Sequence, residues 1–285
     1  MAATAPASVR PRLEGTRKIL RFNWPLYATG AVACVAAAVP AVLPALPAAV
    51  RAAAAVAAIG AAYLVLASSL VSWWVYDHSG LHHWEWLLPG PPPAAVAPAA
   101  VAPLPGRPPA ASPSLHSAAP SGPMGRWALC HAGLDEAGPE LAELLGEPLA
   151  VLDIGAGLPR WSGSLRRARK AFPSRLVPLV ASPGALPVDV GALDAVVLVF
   201  AAHEVRRHPQ RVALFGELAR VVRPGGTVAL VEHPRDLANL VAFGPGAWHF
   251  YSRREWLAIA QGAGFDLAAE LHQTPFVRGF VLCRR

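Results

Sequence analysis

The stretch VLDIGAGLPRWSG, Val151 to Gly163, runs an apolar segment into an acid and two glycines. In an α/β sheet this is how a strand passes into a nucleotide-binding turn. Glycine is needed there because a side chain would block a ligand's approach to the backbone. Gly155 and Gly157 meet that need. A dinucleotide fingerprint, G-x-G-x-x-G, would place glycine where Arg160 stands. It would also place an acid about 20 residues on to hold the ribose. The only acid between Asp153 and Asp194 is Asp189, which comes too late. A nicotinamide or flavin cofactor is therefore disfavoured.

Working outward, the segments downstream alternate between strand and helix patterns. RLVPLVA and LDAVVLVF read as strands, and PQRVALFGELARVV carries apolar residues at helical spacing. RPGG makes a turn and TVALVEH the next strand. SRREWLAIAQGAGF opens on a capping box, Ser252 to Glu255, and FDLAAELHQ and PFVRGFVLCR close the chain as two strands. Upstream, EAGPELAELL is a short amphipathic helix, and GSLRRARKAF, with Arg166, Arg167, Arg169 and Lys170, a basic one. This alternation predicts an α/β sheet with ligands at the carboxyl ends of its strands.

The order VLDIGAG, LDAVVLVFAAHEV, ELARVVRPGGTVALVEH resembles class I S-adenosylmethionine-dependent methyltransferases over about residues 150–285. A narrower resemblance lies in WVYDHSGLHHWEWL, HAGLDE, RARKAFP, AAHEVR, EHPRDLANLVAFGPGAWHF and TPF. These are similar to a bacterial group of membrane-anchored, methyltransferase-like proteins. The resemblance implies a Rossmann-like methyltransferase sheet behind an N-terminal transmembrane helical hairpin, with S-adenosylmethionine as cofactor. Two departures stand out. Pro159 replaces the third glycine of the loop, and no acid is seen closing the second strand. About 40 residues separate Asp153 from Asp194, which leaves room for a sheet short of one strand. The cofactor residues this implies are Asp153, Gly155, Gly157, Ser182, Asp189, Phe200 and Ala201.

Composition explains the anchor. Hydrophobic residues make up 54% of the 285 and charged ones 15%, with a mean hydropathy of +0.38. That is too apolar for an ordinary soluble enzyme. No charge occurs from Asn23 to Val50 or from Ala52 to Tyr76, and each run exceeds the roughly 20 residues that cross a bilayer. Helices are expected at 24–43 and 52–73, turning at Pro40, Pro44 and Pro47, with Trp24, Tyr27, Trp73, Trp74 and Tyr76 as an interfacial belt. Arg10, Arg12, Arg17, Lys18 and Arg21 precede the first span and only Arg51 sits in the turn. The positive-inside rule then places both ends of the hairpin in the cytoplasm, at the inner membrane. The net charge of +7 is scattered, which points to a membrane surface and not to nucleic acid.

Four regions follow: a basic N-terminus, 1–22; the hairpin, 23–76; an interfacial segment and Pro/Ala-rich linker, 77–123; and a methyltransferase-like domain, 124–285. The Trp- and His-rich SWWVYDHSGLHHWEWLLPG is expected at headgroup level. Cys34, Cys130 and Cys283 are far apart and read as free thiols.

Methyl transfer is an in-line displacement that needs alignment and, for some acceptors, a base. The fourth strand's end carries FAAHE, where His203 is the candidate base and Glu204 its orienting acid. The fifth ends in EHPRD, adding His233 as a third catalytic candidate. Arg206, Glu232, Arg235, Asp236 and His249 are the candidate substrate-binding groups. No metal site is expected. HEVRRH misses the H-E-x-x-H spacing because Arg207 holds the second histidine's place, although converging His203, Glu204 and His233 carry ligand chemistry. The expected activity is methylation of a small, lipid or membrane-partitioned acceptor. The rival expectation is a non-catalytic methyltransferase-like module that binds a partner or metabolite.

Overall fold

The computed structural model describes residues 13–87, 123–159 and 162–285. The expected Pro/Ala-rich linker falls almost wholly outside these residues, as do Arg10, Arg12 and Arg160. The described part of the domain is a seven-stranded mixed sheet in the order β3-β2-β1-β4-β5-β7-β6. The strands are β1 (Trp127–His131), β2 (Ala150–Asp153), β3 (Leu179–Val180), β4 (Leu193–Val199), β5 (Val222–Glu232), β6 (Phe265–Thr274) and β7 (Val277–Arg284). β1 to β5 are parallel, and β7 runs antiparallel between β5 and β6.

This topology corrects the sequence reading in one decisive respect. VLDIGAG lies on β2, not on the central strand. The central strand is WALCH, Trp127–His131, which pairs with β2 on one side and β4 on the other. The sheet is therefore not short of a strand. The 40-residue interval looked too small because it holds one strand, β3, and not two.

β1 leads into α3 (Gly138–Leu145), and the local chemistry explains why a helix starts there. Asp135 Oδ1 accepts hydrogen bonds from the amides of Ala137 and Gly138, at 3.2 and 2.6 Å. Pro139 stands in the first turn, where its missing N–H costs nothing. Leu141 and Leu145 share one face and are buried. The helix stops at Gly146, whose φ of +82° suits glycine. After β2, α4 (Gly163–Ala171) is capped by Ser162 Oγ, which accepts from the Leu165 amide. α5 (His208–Val221), α6 (Leu237–Phe243) and α7 (Arg253–Gly262) complete the helices of the domain.

N-terminally, α1 (Glu14–Val42) and α2 (Ala48–Trp73) pack against each other as a hairpin. Both are long and apolar enough to cross a membrane. α1 starts ten residues earlier than expected and takes Pro25 and Pro40 into its interior, so the turn is only Leu43–Pro47. The hairpin's two ends are stitched together by Asp77, whose carboxylate accepts from the amides of Gly15 and Thr16, both at 2.8 Å. An acid there also suits the positive end of α1.

The segment expected at headgroup level is instead part of the domain. After α2 the chain continues as one π-helical turn, Trp74–His78, and two short 3-10 turns, Leu81–His83 and Glu85–Leu87. Val75, Leu81, Trp84 and Leu87 are buried in a cluster with Trp127, Leu129, Val151 and Val197 on one face of the sheet. Each such side chain contributes roughly 1.5–3 kcal/mol by leaving water. The segment is therefore a structural layer. The opposite face is covered by Leu214, Phe215 and Leu218 of α5 and Trp256 of α7.

The turn before β5 is anchored electrostatically. Asp194 accepts from the Arg126 amide at 2.7 Å and pairs with the guanidinium groups of Arg126 and Arg223. Partial burial pushes its pKa up, but the bonds from Arg223 and Arg126 outweigh that and hold it below its usual 3.8. A depressed carboxyl stabilises the fold above its unfolded-state value and loses that contribution as pH falls. Asp194→Asn is thus expected to flatten the acid side of the stability curve below about pH 4. Denaturant titrations across that range check this; an unchanged slope would refute it.

Candidate active site

β1 to β4 form a doubly wound sheet whose connections diverge between β1 and β4. Ligands bind such sheets at that divergence, beyond the strands' carboxyl ends. On one side lie His131 to Gly133, following β1, and on the other Phe200 to His203, following β4.

Gly133 is the glycine this turn demands. Its φ is +103°, and a Cβ there would stand 1.7 Å from the Arg169 guanidinium. Its amide donates to His131 Nδ1 at 2.9 Å, while His131 Nε2 is buried without a partner. Twenty residues after Gly133 comes Asp153, closing β2. That is the spacing and position of an acid that holds a ribose. The acid thought missing from the second strand is therefore Asp153 itself.

Asp153 is held by Arg169 of α4, whose two guanidinium nitrogens donate to its two oxygens at 2.9 and 2.8 Å. Arg169 also donates to the Ala132 carbonyl. A carboxylate has about four lone-pair positions, so Asp153 retains acceptor capacity for hydroxyls. Of the basic helix's charges, Arg169 serves this loop, and Arg167 donates to the Phe22 carbonyl of α1.

Beyond Asp153 lies a cavity of about 360 Å³ lined by Gly157, Val180, Ala181, Ser182, Ala185, Leu186 and Pro187. Its size is within the range of small-ligand pockets, and its lining is mainly apolar, as a purine requires. A Cβ on Gly157 would lie 2.5 Å from Ser182, so the glycine permits this close approach. Gly155 serves packing instead. A Cβ there would fall 2.0 Å from the Ala132 carbonyl oxygen, so no other residue fits between β1 and β2.

Among the expected cofactor residues, Asp153, Gly157 and Ser182 thus gather on one side, and Phe200 and Ala201 face them from the end of β4. Phe200 takes a left-handed φ of +47°, an uncommon conformation for a bulky residue. Asp189 is a correction. It is exposed before the start of β4, at the opposite end of that strand from Phe200.

The acid and histidine clusters do converge, with roles sorted by burial. Glu232 is completely buried at the end of β5. Its carboxylate accepts from the His203 amide at 3.1 Å and pairs with His203 Nδ1 at 2.7 Å. Burial opposes charge on His203, but the charge and hydrogen bond of Glu232, with Glu204's charge, raise its pKa to about 9. Glu232 thus favours the protonated imidazole, which weighs against the neutral base expected of His203.

His233 goes the other way. Burial, with His203's charge, lowers its pKa to about 4 despite its bond to the Phe276 carbonyl. The carbonyl can only accept, so Nδ1 carries the hydrogen. Nε2 is left to accept from the Tyr76 hydroxyl at 3.2 Å. The ring is clamped by stacking on Phe200 (4.6 Å) and Phe250 (5.0 Å).

Glu204 lies 3.8 Å from His203 Nε2 and 3.6 Å from His249 Nε2, so His249 does line this mouth. Arg206 donates to the carbonyls of His203 and His249. Arg235 and Asp236 sit further out. Arg235 lies 3.9 Å from Glu255, and Asp236 caps α6 through the Asn239 amide.

Two participants were missed from the sequence. Tyr76 reaches in from the foot of the hairpin. Glu136, on the β1–α3 loop, lies within the fields of His203, Glu232, Asp135 and Lys18. Burial chiefly raises its pKa, to about 7, and Glu232 and Asp135 add to that while His203 and Lys18 pull it down. A carboxyl poised near neutrality is suited to proton transfer. HAGLDE was legible as a motif, but its place at the switch point depends on which strand is central.

Residues 149–230 match a family model described as "Methyltransferase domain". That match supports a methyltransferase domain in this part of the chain, for which S-adenosylmethionine is the cofactor expected from the sequence. Solved structures with similar coordinates include a SAM-dependent methyltransferase from Aquifex aeolicus. It is 18% identical with a TM-score of 0.43, covering 56% of this chain and 82% of that one. Another is geranyl diphosphate C-methyltransferase from Streptomyces coelicolor, in complex with Mg2+, geranyl diphosphate and S-adenosyl-L-homocysteine. It is 15% identical with a TM-score of 0.41, covering 60% and 75%. No curated protein matches the chain.

The residues present fit that cofactor. Gly133 and the β1 turn would take its amino-acid end, Asp153 the ribose hydroxyls, and the cavity at Gly157 and Ser182 the adenine. The cofactor supplies an electrophilic methyl on a sulfonium. The protein's own groups align the acceptor against it and move the acceptor's proton.

Proposed function

We propose that this is a membrane-anchored methyltransferase of the cytoplasmic face of the inner membrane, acting on a lipid or other membrane-partitioned acceptor. The observation that carries this is the hairpin's contribution to the site wall. Tyr76, in the extension of α2, hydrogen-bonds His233 and packs on Phe200 at 5.9 Å between ring centroids. The lower hairpin also leans on both flanks of the crevice. Asn23 of α1 meets Ser164 of α4, and the Tyr63 hydroxyl donates to the Val241 carbonyl of α6. Beyond this foot the helices expose Val32, Val35, Val39 and Val42 on α1, and Val56 and Ile59 on α2. Such continuous apolar surface suits hydrocarbon. Trp24, Trp73 and Trp74 are exposed near the foot, where an interfacial belt would lie.

A bilayer seated at that belt brings its headgroups to the crevice, so an amphiphilic acceptor need not leave the membrane. Glu136 is the group we assign to take the acceptor's proton, with Tyr76 and His233 fixing the wall beside it. The test uses full-length protein in nanodiscs of bacterial polar lipids with methyl-labelled S-adenosylmethionine. Label is expected in the lipid-extractable fraction, reduced roughly 10²–10⁴-fold by Glu136→Gln. Label confined to water-soluble products would overturn the acceptor class.

A further inference from the structure

We propose that His203, Glu204 and His249 form a binding site for a divalent transition-metal ion of the Zn2+ type. The three come from two turns: His203 and Glu204 from Ala202–Glu204 after β4, and His249 from Gly244–His249 after α6. One ligand atom from each of His203, Glu204 and His249 lies within 4.8 Å of the other two. The two measured edges are 3.8 and 3.6 Å. Those separations are long for hydrogen bonds. They approach the edge of a coordination tetrahedron, which for bonds of 2.0–2.2 Å is ~3.4 Å.

A second observation concerns the surrounding support. A ligating histidine normally gives its other ring nitrogen to a carboxylate, which fixes ring and tautomer. Glu232 is placed to do this for His203, at 2.7 Å from Nδ1 and completely buried. It leaves Nε2 facing Glu204 and His249, where a bound ion would displace that nitrogen's proton. His249 is held from its backbone by Arg206, at 2.6 Å from its carbonyl. The His203 and Glu204 side chains are each 11% exposed and His249 35%, so the open side is His249's. Three protein ligands with one open direction is the arrangement of a catalytic zinc site, whereas structural sites are closed by four. Two imidazoles favour a first-row transition metal over Mg2+ or Ca2+, which take oxygen ligands.

The role of the ion rests on the methyltransferase reading. The site lies at the end of β4, beside Phe200, where the acceptor would enter. An ion there would take the acceptor's oxygen or nitrogen in its open position and lower that group's pKa. Glu136 could then receive the proton.

The experiment strips full-length protein in detergent with a chelator and titrates Zn2+ by calorimetry. Co2+ serves as the probe whose visible bands report coordination. One Zn2+ per chain is expected, with tetrahedral-type Co2+ bands. His249→Ala and Glu204→Gln should weaken binding at least about 100-fold, and Glu232→Gln about 10–100-fold. His249 is the most exposed of the three, so its variant should keep the fold; circular dichroism checks this. Wild-type binding equal to that of both ligand variants would overturn the site, because it would place the metal elsewhere, for instance on Cys34 or Cys283. S-adenosylhomocysteine titrated into the same stripped protein separates the two readings. Cofactor binding without stoichiometric Zn2+ overturns the metal site alone. Zn2+ lost in the variants, with no cofactor binding, supports the metal site and overturns the methyltransferase reading.

Discussion

Glu232→Ala should destabilise the protein by about 3–5 kcal/mol, the cost of removing one partner of a buried charge pair. Glu232 has no exposed surface, and its carboxylate serves both the amide and the imidazole of His203. Its removal leaves a buried imidazolium without its counter-charge and a buried amide without an acceptor. His203 can shed its proton, which relieves part of the charge cost but not the amide's. β4 and β5 pair directly through this region, with Val199 opposite Val231, so the damage lies at the centre of the sheet. In a domain of this size each kcal/mol shifts the melting temperature by about 2–4 °C, giving a fall of roughly 6–20 °C. Chemical denaturation in detergent measures it. A variant within about 0.5 kcal/mol of wild type would show that the pair is not buried as described. Glu232→Gln retains an acceptor oxygen and should cost less.

Asp153→Ala should weaken S-adenosylhomocysteine binding about 10–150-fold, while Asp189→Ala leaves it unchanged. A hydrogen bond to a charged group contributes about 1.5–3 kcal/mol, which sets that range. Asp153 stands at the end of β2, between the Gly133 turn and the cavity at Ser182. Asp189 is exposed and precedes β4, at the opposite end of that strand from Phe200. Calorimetric titration of full-length protein compares the two. Loss of affinity in the Asp189 variant alone would overturn the ribose role given to Asp153. Arg169 provides a control, since Arg169→Ala removes both guanidinium bonds to Asp153 without removing the acid.

The error over Asp153 has a physical origin. An apolar strand ending in acid and glycines looks the same whether it is the first or second strand of such a sheet. Local pattern reports that a strand exists, not its neighbours. WALCH is short, contains a histidine and ends at an isolated glycine, so it carried a weaker strand signal than AVLD. Yet Trp127 pairs with Ala195 and Cys130 with both Leu152 and Leu198, which makes this strand central. Similarly, SWWVYDHSGLHHWEWL has the composition of an interfacial segment. Its burial follows from the apolar sheet face that Leu129, Val151 and Val197 leave to be covered.

By itself the sequence determined the alternation of strands and helices, the two long apolar helices and the clusters AAHEVR and EHPRD, because each is written in local periodicity and spacing. Only the tertiary structure decided which strand is central, and with it that Asp153 closes the second strand and Gly133 stands in the turn after the first. It also decided that Tyr76 meets His233, and His249 meets His203, from distant parts of the chain. Two histidines of the same intrinsic pKa were separated to about 9 and about 4 by their surroundings, one beside a buried carboxylate and one bonded to a carbonyl among aromatic rings. Strand order and electrostatic environment are set by contacts between residues far apart in sequence, which no local pattern encodes.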